Sequence, residues 1–210
     1  MKSHYLVSFL VLISISLSAQ EIDKNAVVAL PNMNVLYAGI ANPLQIAVPG
    51  ITSDRVSATS TNAVINKTND GWEIMPASIS KNVVLTVLVD NKKISEKTFR
   101  VMALPVPFPA IAGKENGIVS KNEIIQNGVI ETQLKGFRWD QKFEIKSFNF
   151  LYSKNGSKKE LSASGNKLTE EMKTIISGMQ SGQDIVFKDI KALGPDKNYH
   201  DISPLILVLN

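Results

Sequence analysis

Cysteine is absent from this 210-residue chain. Without thiols the chain can form no disulfide, and it offers no thiolate nucleophile, cysteine zinc site or covalent haem attachment. Histidine is almost as scarce, with two residues in the whole sequence. Zinc sites combine several histidine, cysteine and carboxylate ligands, so this composition argues against a zinc centre. The chain must therefore be held together by burial of apolar side chains.

Long hydrophobic runs are also missing, apart from one at the start. Residues 5–15 are almost continuously apolar, follow Lys2, and precede residues 16–19, which end in the small pair Ser18–Ala19. This run is shorter than the ~20 residues that a membrane-spanning helix needs. The order of basic, apolar and small residues is typical of an export signal, with an uncleaved anchor as the alternative. We predict a signal peptide over residues 1–19, cleaved near Ala19, and an exported, periplasmic product with no membrane span after cleavage.

The charge balance is only mildly basic, with 23 Lys and Arg against 19 Asp and Glu. The densest positive positions are the pairs Lys92–Lys93 and Lys158–Lys159, and no stripe of basic and aromatic residues accompanies them. Lysine pairs of this kind are typical of solvated strand edges, where they discourage edge-to-edge pairing. The sequence therefore predicts no nucleic-acid partner.

The first part of the mature chain, residues 20–104, has the pattern of an immunoglobulin-like β-sandwich. Short apolar or alternating runs are separated by turn residues, and no helical stretch interrupts them. The predicted strands are Val27–Leu30, Val35–Tyr37, Leu44–Val48, Arg55–Thr59, Ala63–Asn66, Trp72–Met75, Val83–Val89 and Lys97–Val101. The last two should form a hairpin that turns at Asp90–Asn91. The expected core is Val35, Leu44, Ile46, Val48, Val56, Val64, Trp72, Ile74, Val84, Leu88, Phe99 and Val101.

A proline-rich linker over residues 105–113 should separate this sandwich from a second domain over residues 114–210. Proline stands at every second position from Pro105 to Pro109, and such a segment is extended and fairly stiff. The second domain is predicted to be β-rich, with strands Gly128–Leu134, Phe143–Tyr152, Asp184–Ile190 and Ile202–Leu209. One short amphipathic helix should begin at an N-cap, Thr169, and end near Gly178.

The segment from Gly136 to Phe150 is the richest in aromatic residues. Phe137 and Phe143 have one parity, whereas Phe148 and Phe150 have the other. A strand that changes its apolar face either contains a bulge or is covered on both sides. Because aromatic residues and arginine are favoured at the centres of interfaces, we select a set of candidate partner-binding residues: Phe137, Arg138, Trp139, Phe148 and Phe150.

Groups for catalysis are few. His200 is the single histidine after the predicted signal, and Asp196 and Asp201 are its nearest carboxylates in sequence. Asp201 would orient the imidazole poorly, because adjacent strand residues point to opposite faces. The sequence contains no G-x-S-x-G elbow, calcium loop, phosphate-binding glycine loop or dinucleotide fingerprint. We predict a non-catalytic protein with no cofactor and no metal.

Four segments together resemble the C-terminal periplasmic region of the GldM/PorM family of gliding motility and type IX secretion. They are MNVLYAGIANPLQIAVPG (33–50), FRVMALPVPFPAIAG (99–113), GFRWDQKFEIKSFNF (136–150) and GQDIVFKDIKALGPDKNYHDISPLILVL (182–209). The resemblance covers essentially the whole mature chain. In that family a membrane-anchored helix uses the proton-motive force and a dimeric periplasmic shaft reaches an outer-membrane-associated ring. This chain has a predicted signal in place of the anchor, so we expect it to resemble only the distal domains.

The resemblance implies a periplasmic protein-interaction or scaffold module. Its partners would be envelope proteins, with type IX ring or shaft components as candidates, and a homodimer would follow the family. The alternative is a secreted carbohydrate-binding module or hydrolase that uses the same β-domains. The two hypotheses differ in what they require, since the first needs a protein partner and the second a soluble ligand or turnover.

Overall fold

Two separate hydrophobic cores divide the chain, one on each side of the proline-rich segment. A computed structural model describes residues 26–29, 34–137, 141–154 and 156–210. The protein is mainly β, as predicted. The predicted signal peptide lies outside the described residues. Within the part of the chain that is described, no helix is long and apolar enough to span a bilayer.

The first core lies between two four-stranded sheets. One sheet has the strand order β1-β3-β6-β5 and the other β2-β8-β7-β4. The strands are β1 (Val27–Ala29), β2 (Val35–Tyr37), β3 (Asn42–Ala47), β4 (Val56–Ser60), β5 (Ala63–Thr68), β6 (Gly71–Pro76), β7 (Val83–Val89) and β8 (Lys92–Met102). Leu44 and Ile74 from the first sheet meet Leu36 and Phe99 from the second. The eight predicted strands are therefore confirmed, and they form a sandwich.

The hairpin between β7 and β8 turns where the sequence predicts. Asp90 and Asn91 adopt φ values of 48° and 64°, a left-handed pair that matches the twist of the flanking strands. The parity of β7 differs from the prediction: Val83, Leu85 and Val87 are buried, whereas Val84 and Leu88 are half-buried. The run is apolar at six of its seven positions, and Thr86 is the residue that marks the outward face.

The rest of the predicted first core is mostly confirmed. Ile46 and Val101 are partly buried against the core, and Val64 is wrong because it is 57% exposed. Val64 stands opposite Met75 on the outer face of the first sheet, and Met75 is also exposed. The buried members of the predicted set are Val35, Leu44, Val48, Val56, Trp72, Ile74 and Phe99.

The second core lies between one large sheet and two helices. The sheet has the order β10-β16-β14-β12-β13, with β15 beside β14, while β9 pairs with β11. Its elements are β9 (Phe108–Ile111), β10 (Asn116–Val119), α1 (Lys121–Asn127), β11 (Ile130–Gln133), β12 (Glu144–Lys154), β13 (Ser157–Ser164), α2 (Glu170–Gly178), β14 (Asp184–Leu193), β15 (Tyr199–Ile202) and β16 (Leu205–Leu209). Strand β9 comes from the segment predicted as linker, and its Ala110 and Ile111 are fully buried.

The predicted helix is present as α2. The Thr169 hydroxyl accepts a hydrogen bond from the Met172 backbone N–H at 3.2 Å, and Met172 and Ile176 are buried. Helix α1 was not predicted, although its signal is in the sequence. Ser120 and Glu123 form a reciprocal capping box, which the spacing Ser-x-x-Glu before an apolar pair indicates.

Strand β12 contains the bulge that the aromatic parity allowed. Its register against β14 shifts on both sides of Ser147. Because of that shift, Ile145 and Phe148 both point into the second core although their sequence parity differs. The bulge therefore lets one strand supply the core along its whole length.

Candidate functional site: the interdomain joint

Two of the five predicted partner-binding residues are core residues. Phe148 and Phe150 are both 0% exposed, and their rings pack against Phe187 with centroid separations of 5.7 and 5.5 Å. Aromatic pairs at these separations are favourable beyond the area they bury. A partner could reach neither ring without opening the domain. The prediction for Phe148 and Phe150 is therefore corrected: the bulge in β12 turns both inward.

Phe137 lies where the two domains meet. Its ring contacts Tyr37 of the first domain edge to face, with centroids 4.9 Å apart. Phe137 and Tyr37 are both partly buried against the second core. Arg138 and Trp139 follow Phe137 in sequence but lie outside the described residues. The structure thus brings one predicted partner-binding residue to the joint between the domains.

The first domain presents to this joint a loop that a buried amide holds in shape. The Asn42 side chain is 0% exposed. Its Nδ2 donates to the carbonyl oxygens of Tyr37, Ile40 and Ile74 at 2.9, 2.8 and 3.1 Å, and its Oδ1 accepts from the Tyr37 N–H at 2.7 Å. A buried amide with all these partners fixes the local backbone, because losing any one of them would leave a buried polar group unsatisfied. Asn42 therefore sets the path of residues 37–41.

Two further hydrogen bonds tie the loop to its own domain. The Ala38 N–H donates to the Met102 carbonyl at 3.0 Å, and the Gly39 N–H donates to the Pro76 carbonyl at 2.9 Å. Ile40 then enters the second core, where Leu104 also lies. The loop is thus anchored in one domain while its apolar side chain is buried in the other.

The second domain presents the turn between β14 and β15. The Nε2 atom of His200 lies 2.9 and 3.1 Å from the two carboxylate oxygens of Asp196. Because a carboxylate only accepts, Nε2 carries the proton in this arrangement. Asn198 donates to Asp196 from its backbone and from its side chain, both at 3.2 Å. The Phe143 ring packs against the His200 ring with centroids 5.2 Å apart, so the pair is held on several sides.

Electrostatics favour the charged form of Asp196. Burial raises the pKa of this carboxyl group, but the hydrogen bonds from His200 and Asn198 outweigh that effect and hold the pKa below its usual range. The side chains of His200 and Asp196 are 16% and 11% exposed. Asp201, the other candidate orienter, instead pairs with Lys191 at 2.6 Å, as the opposite-face reasoning predicts.

A groove of about 400 Å³ opens beside this pair. One wall is apolar and comes from the first domain and the proline-rich segment, whereas the other is polar and comes from the β14–β15 turn. Ile79 and Val106 on the apolar wall are 58% and 48% exposed. The lining residues are Ala38, Gly39, Ala77, Ser78, Ile79, Ala103, Leu104, Val106, Asp196, Asn198 and His200.

The groove holds the residue types of a hydrolytic triad, but not their arrangement. Ser78 lines the groove, and its hydroxyl is within 2.8 Å of the Ser80 hydroxyl. The described hydrogen bonds of His200 run to Asp196, and none joins it to Ser78. A triad needs the imidazole between the acid and the nucleophile. Among the described residues, no cluster of histidine and carboxylate groups could hold a metal ion.

Comparison with protein families gives two adjacent matches. A model of the GldM third domain matches residues 25–102, and a model of the GldM C-terminal domain matches residues 105–210. The chain belongs to the GldM family. The resemblance carried by the four sequence segments is thereby confirmed. The family is an envelope-associated structural component of gliding motility and type IX secretion that works in complex with other components.

Other comparisons add little. No curated protein matches the chain. A solved structure of domains 6–7 of the surface layer protein SbsC is 10% identical over 89% of this chain and 97% of its own, with a TM-score of 0.28. A structure of SbsC domains 4–9 is also 10% identical, over 89% of this chain and 35% of its own, with the same TM-score. Such distant similarity carries no inference about fold or function.

Some residues that build the joint are recognisable in the sequence for other reasons, Phe137 as an aromatic partner-binding candidate and His200 as the single histidine after the predicted signal, but the loop residues are recognisable only as turn residues. In the sequence, Gly39 and Asn42 are turn residues between two predicted strands, and Asp196 is part of a turn. The Asn-Pro dipeptide is the available signal, because asparagine before proline is typical of a tight turn held by its side chain. That Asn42 is fully buried depends on its packing beside β6, where it reaches the Ile74 carbonyl 32 positions away, and local sequence does not encode that packing.

Proposed function

We propose that this protein is an exported, non-catalytic scaffold module of the periplasm that docks on envelope proteins of the type IX secretion and gliding machinery. The observation that supports it best is the pair of adjacent family matches, which span both domains. Ring or shaft components are the candidate partners, and a homodimer is a further candidate assembly. The proposed export follows from the predicted signal peptide over residues 1–19.

The proposed docking surface includes Phe137 at the interdomain joint. The prediction extends it to Arg138 and Trp139, which follow Phe137 in sequence and lie outside the described residues. Phe137 already contacts Tyr37 at the joint, and the neighbouring groove exposes Ile79 and Val106. The predicted set combines aromatic residues with an arginine, a composition favoured at interface centres. Phe148 and Phe150 have no part in this surface because they are buried.

The test is a pull-down from native envelope extract with the mature protein, from Gln20 onwards, as bait. Wild type is compared with Trp139→Ala and with Tyr199→Ala, a control that removes another aromatic residue, which is 68% exposed. We expect wild type and Tyr199→Ala to recover the ring or shaft proteins and Trp139→Ala to lose them while still folded. Failure of folded wild type to recover any such protein would contradict the proposal.

The alternative function is a secreted carbohydrate-binding module or hydrolase. Its one structural support is that Ser78, Asp196 and His200 line the same groove. It predicts turnover or binding of a soluble sugar or ester that both Ser78→Ala and His200→Ala abolish. If His200→Ala alone reduces activity, the cause is a change in the joint, because a Ser–His mechanism needs both groups.

A further inference from the structure

The two domains touch through a contact that only glycine permits. Gly39 has φ +77°, and a Cβ atom placed on it would lie 2.7 Å from the Asp196 Cβ. Real Cβ atoms essentially never come this close to another side chain. The backbone of the first domain therefore lies directly against the β14–β15 turn of the second.

A second glycine lies close to the carboxylate of the same aspartate. A Cβ atom on Gly194 would lie 2.5 Å from Asp196 Oδ1 and 2.7 Å from His200 Nε2. Gly39 of the first domain thus lies against the Asp196 Cβ, while Gly194 of the same turn lies against the polar ends of Asp196 and His200. Because interiors are close-packed, a side chain added on either side must displace the pair.

We propose that this contact is an interdomain lock: Gly39 packs against Asp196 of the Asp196–His200 pair, and this packing holds the two domains in one fixed relative orientation. Domains joined by a short linker are expected to move relative to each other unless their interface is extensive and apolar. Here the loop that carries Gly39 is fixed by Asn42, and Ile40 and Leu104 are buried in the second core. Both sides of the contact are therefore rigid. The inference goes beyond the proposed function, since it holds whatever the partner is.

The lock would fix how the surfaces of the two domains face a partner. Phe137 and Tyr37 meet across the same joint, so a change in domain orientation would also change the surface that includes Phe137. Asp196 and His200 act here by shaping the contact between the domains.

The test measures the distance between the domains by double electron–electron resonance. The chain contains no cysteine, so Asn69→Cys and Lys159→Cys give one exposed label site in each domain without background labelling. Four single substitutions are made on this labelled protein, and each disruptive glycine change has a matched control. Circular dichroism and a thermal melt establish that each variant is folded.

The first matched pair is Gly39→Ala against Gly50→Ala. Gly50 lies in the same domain at φ +72°, and a Cβ atom placed on it would have nothing within 4 Å. Both changes therefore bring the same backbone strain, and only Gly39→Ala meets Asp196. The second pair is Gly194→Ala against Gly178→Ala, both in the second domain and both without a left-handed φ. Gly178 has open space around it.

We expect one narrow distance distribution in wild type, Gly50→Ala and Gly178→Ala, and loss of that narrow peak in Gly39→Ala and Gly194→Ala. If Gly39→Ala fails to fold, the Gly194 pair decides, because it leaves the first domain intact. A broad distribution in wild type would overturn the proposal. So would distributions in Gly39→Ala and Gly194→Ala that match those of their controls.

Discussion

The two domains bury their apolar residues in different ways. The first encloses its core between two sheets, and every described member of that core comes from within residues 26–101. The second covers one face of its large sheet with helices, and its core also takes Ile40 and Leu104 from the chain before β9. The first core is self-contained, whereas the second is completed by residues of its neighbour.

This asymmetry couples the stabilities of the two domains unequally. A residue of the first domain that is buried in the second core couples the stability of the second domain to the folding of the first. The reverse coupling is weaker, because no described residue of the second domain belongs to the first core. The two domains should therefore respond differently to equivalent damage.

The largest expected effect comes from replacing one large buried side chain in each core by alanine. Phe99 and Phe148 are both fully buried, one in each core, and replacing such a residue by alanine costs about 3–5 kcal/mol. We expect Phe99→Ala to reduce hydrogen-exchange protection in both domains, because the loop that carries Ile40 is lost with the first fold. Phe148→Ala should reduce protection in the second domain alone. Equal loss in both domains from Phe148→Ala would contradict the one-way coupling.

A smaller substitution, at Ile40, tests the same difference between the two domains. Ile40 is 4% exposed and belongs to the second core, although it precedes β3 of the first domain. We expect Ile40→Ala to cost about 2–4 kcal/mol and to lower hydrogen-exchange protection mainly in β12 and β14. Val48→Ala is the control, since Val48 is 5% exposed in the first core. If both variants lose protection in the first domain only, Ile40 does not complete the second core.

The sequence predicted the first domain better than the second, for reasons that particular residues illustrate. Every first-domain strand is bounded by a local turn such as Asp90–Asn91, so its position depends on nearby residues. Strand β13 was missed because Lys158, Lys159 and Glu160 make it polar, and only its pairing with β12 shows it as a strand. Its exposed outer edge needs no apolar residues, so hydrophobic periodicity cannot reveal it.

The candidate site was predicted only in part, because residue type does not decide burial. Phe148 and Phe150 satisfied the composition of an interface as well as Phe137 did, but they lie on the core strand β12, where the register shift at Ser147 turns both inward. Gly39 and Asp196 are 157 positions apart in the chain, so nothing local links them. Contacts between domains follow from tertiary packing, so the sequence does not show that these two residues meet.

The smallest expected effect is the loss, in acid, of the stability that the charge on Asp196 contributes. The folded-state pKa of Asp196 is lowered, because the hydrogen bonds from His200 and Asn198 outweigh burial. A carboxyl group with a lowered folded pKa contributes stability that is fully present above its unfolded pKa, about 3.9, and is lost as the pH falls through the folded value.

The free energy of unfolding of the wild type, measured by urea denaturation, should therefore exceed that of Asp196→Asn by about 1–2 kcal/mol at neutral pH. The difference should shrink as the pH falls below about 4, where Asp196 becomes protonated in the wild type. Asp201→Asn is the control, because that side chain is 85% exposed and pairs only with Lys191 among its described contacts. A difference for Asp196→Asn that persists unchanged in acid would mean that charge on Asp196 does not stabilise the joint, and that packing against Gly39 alone does.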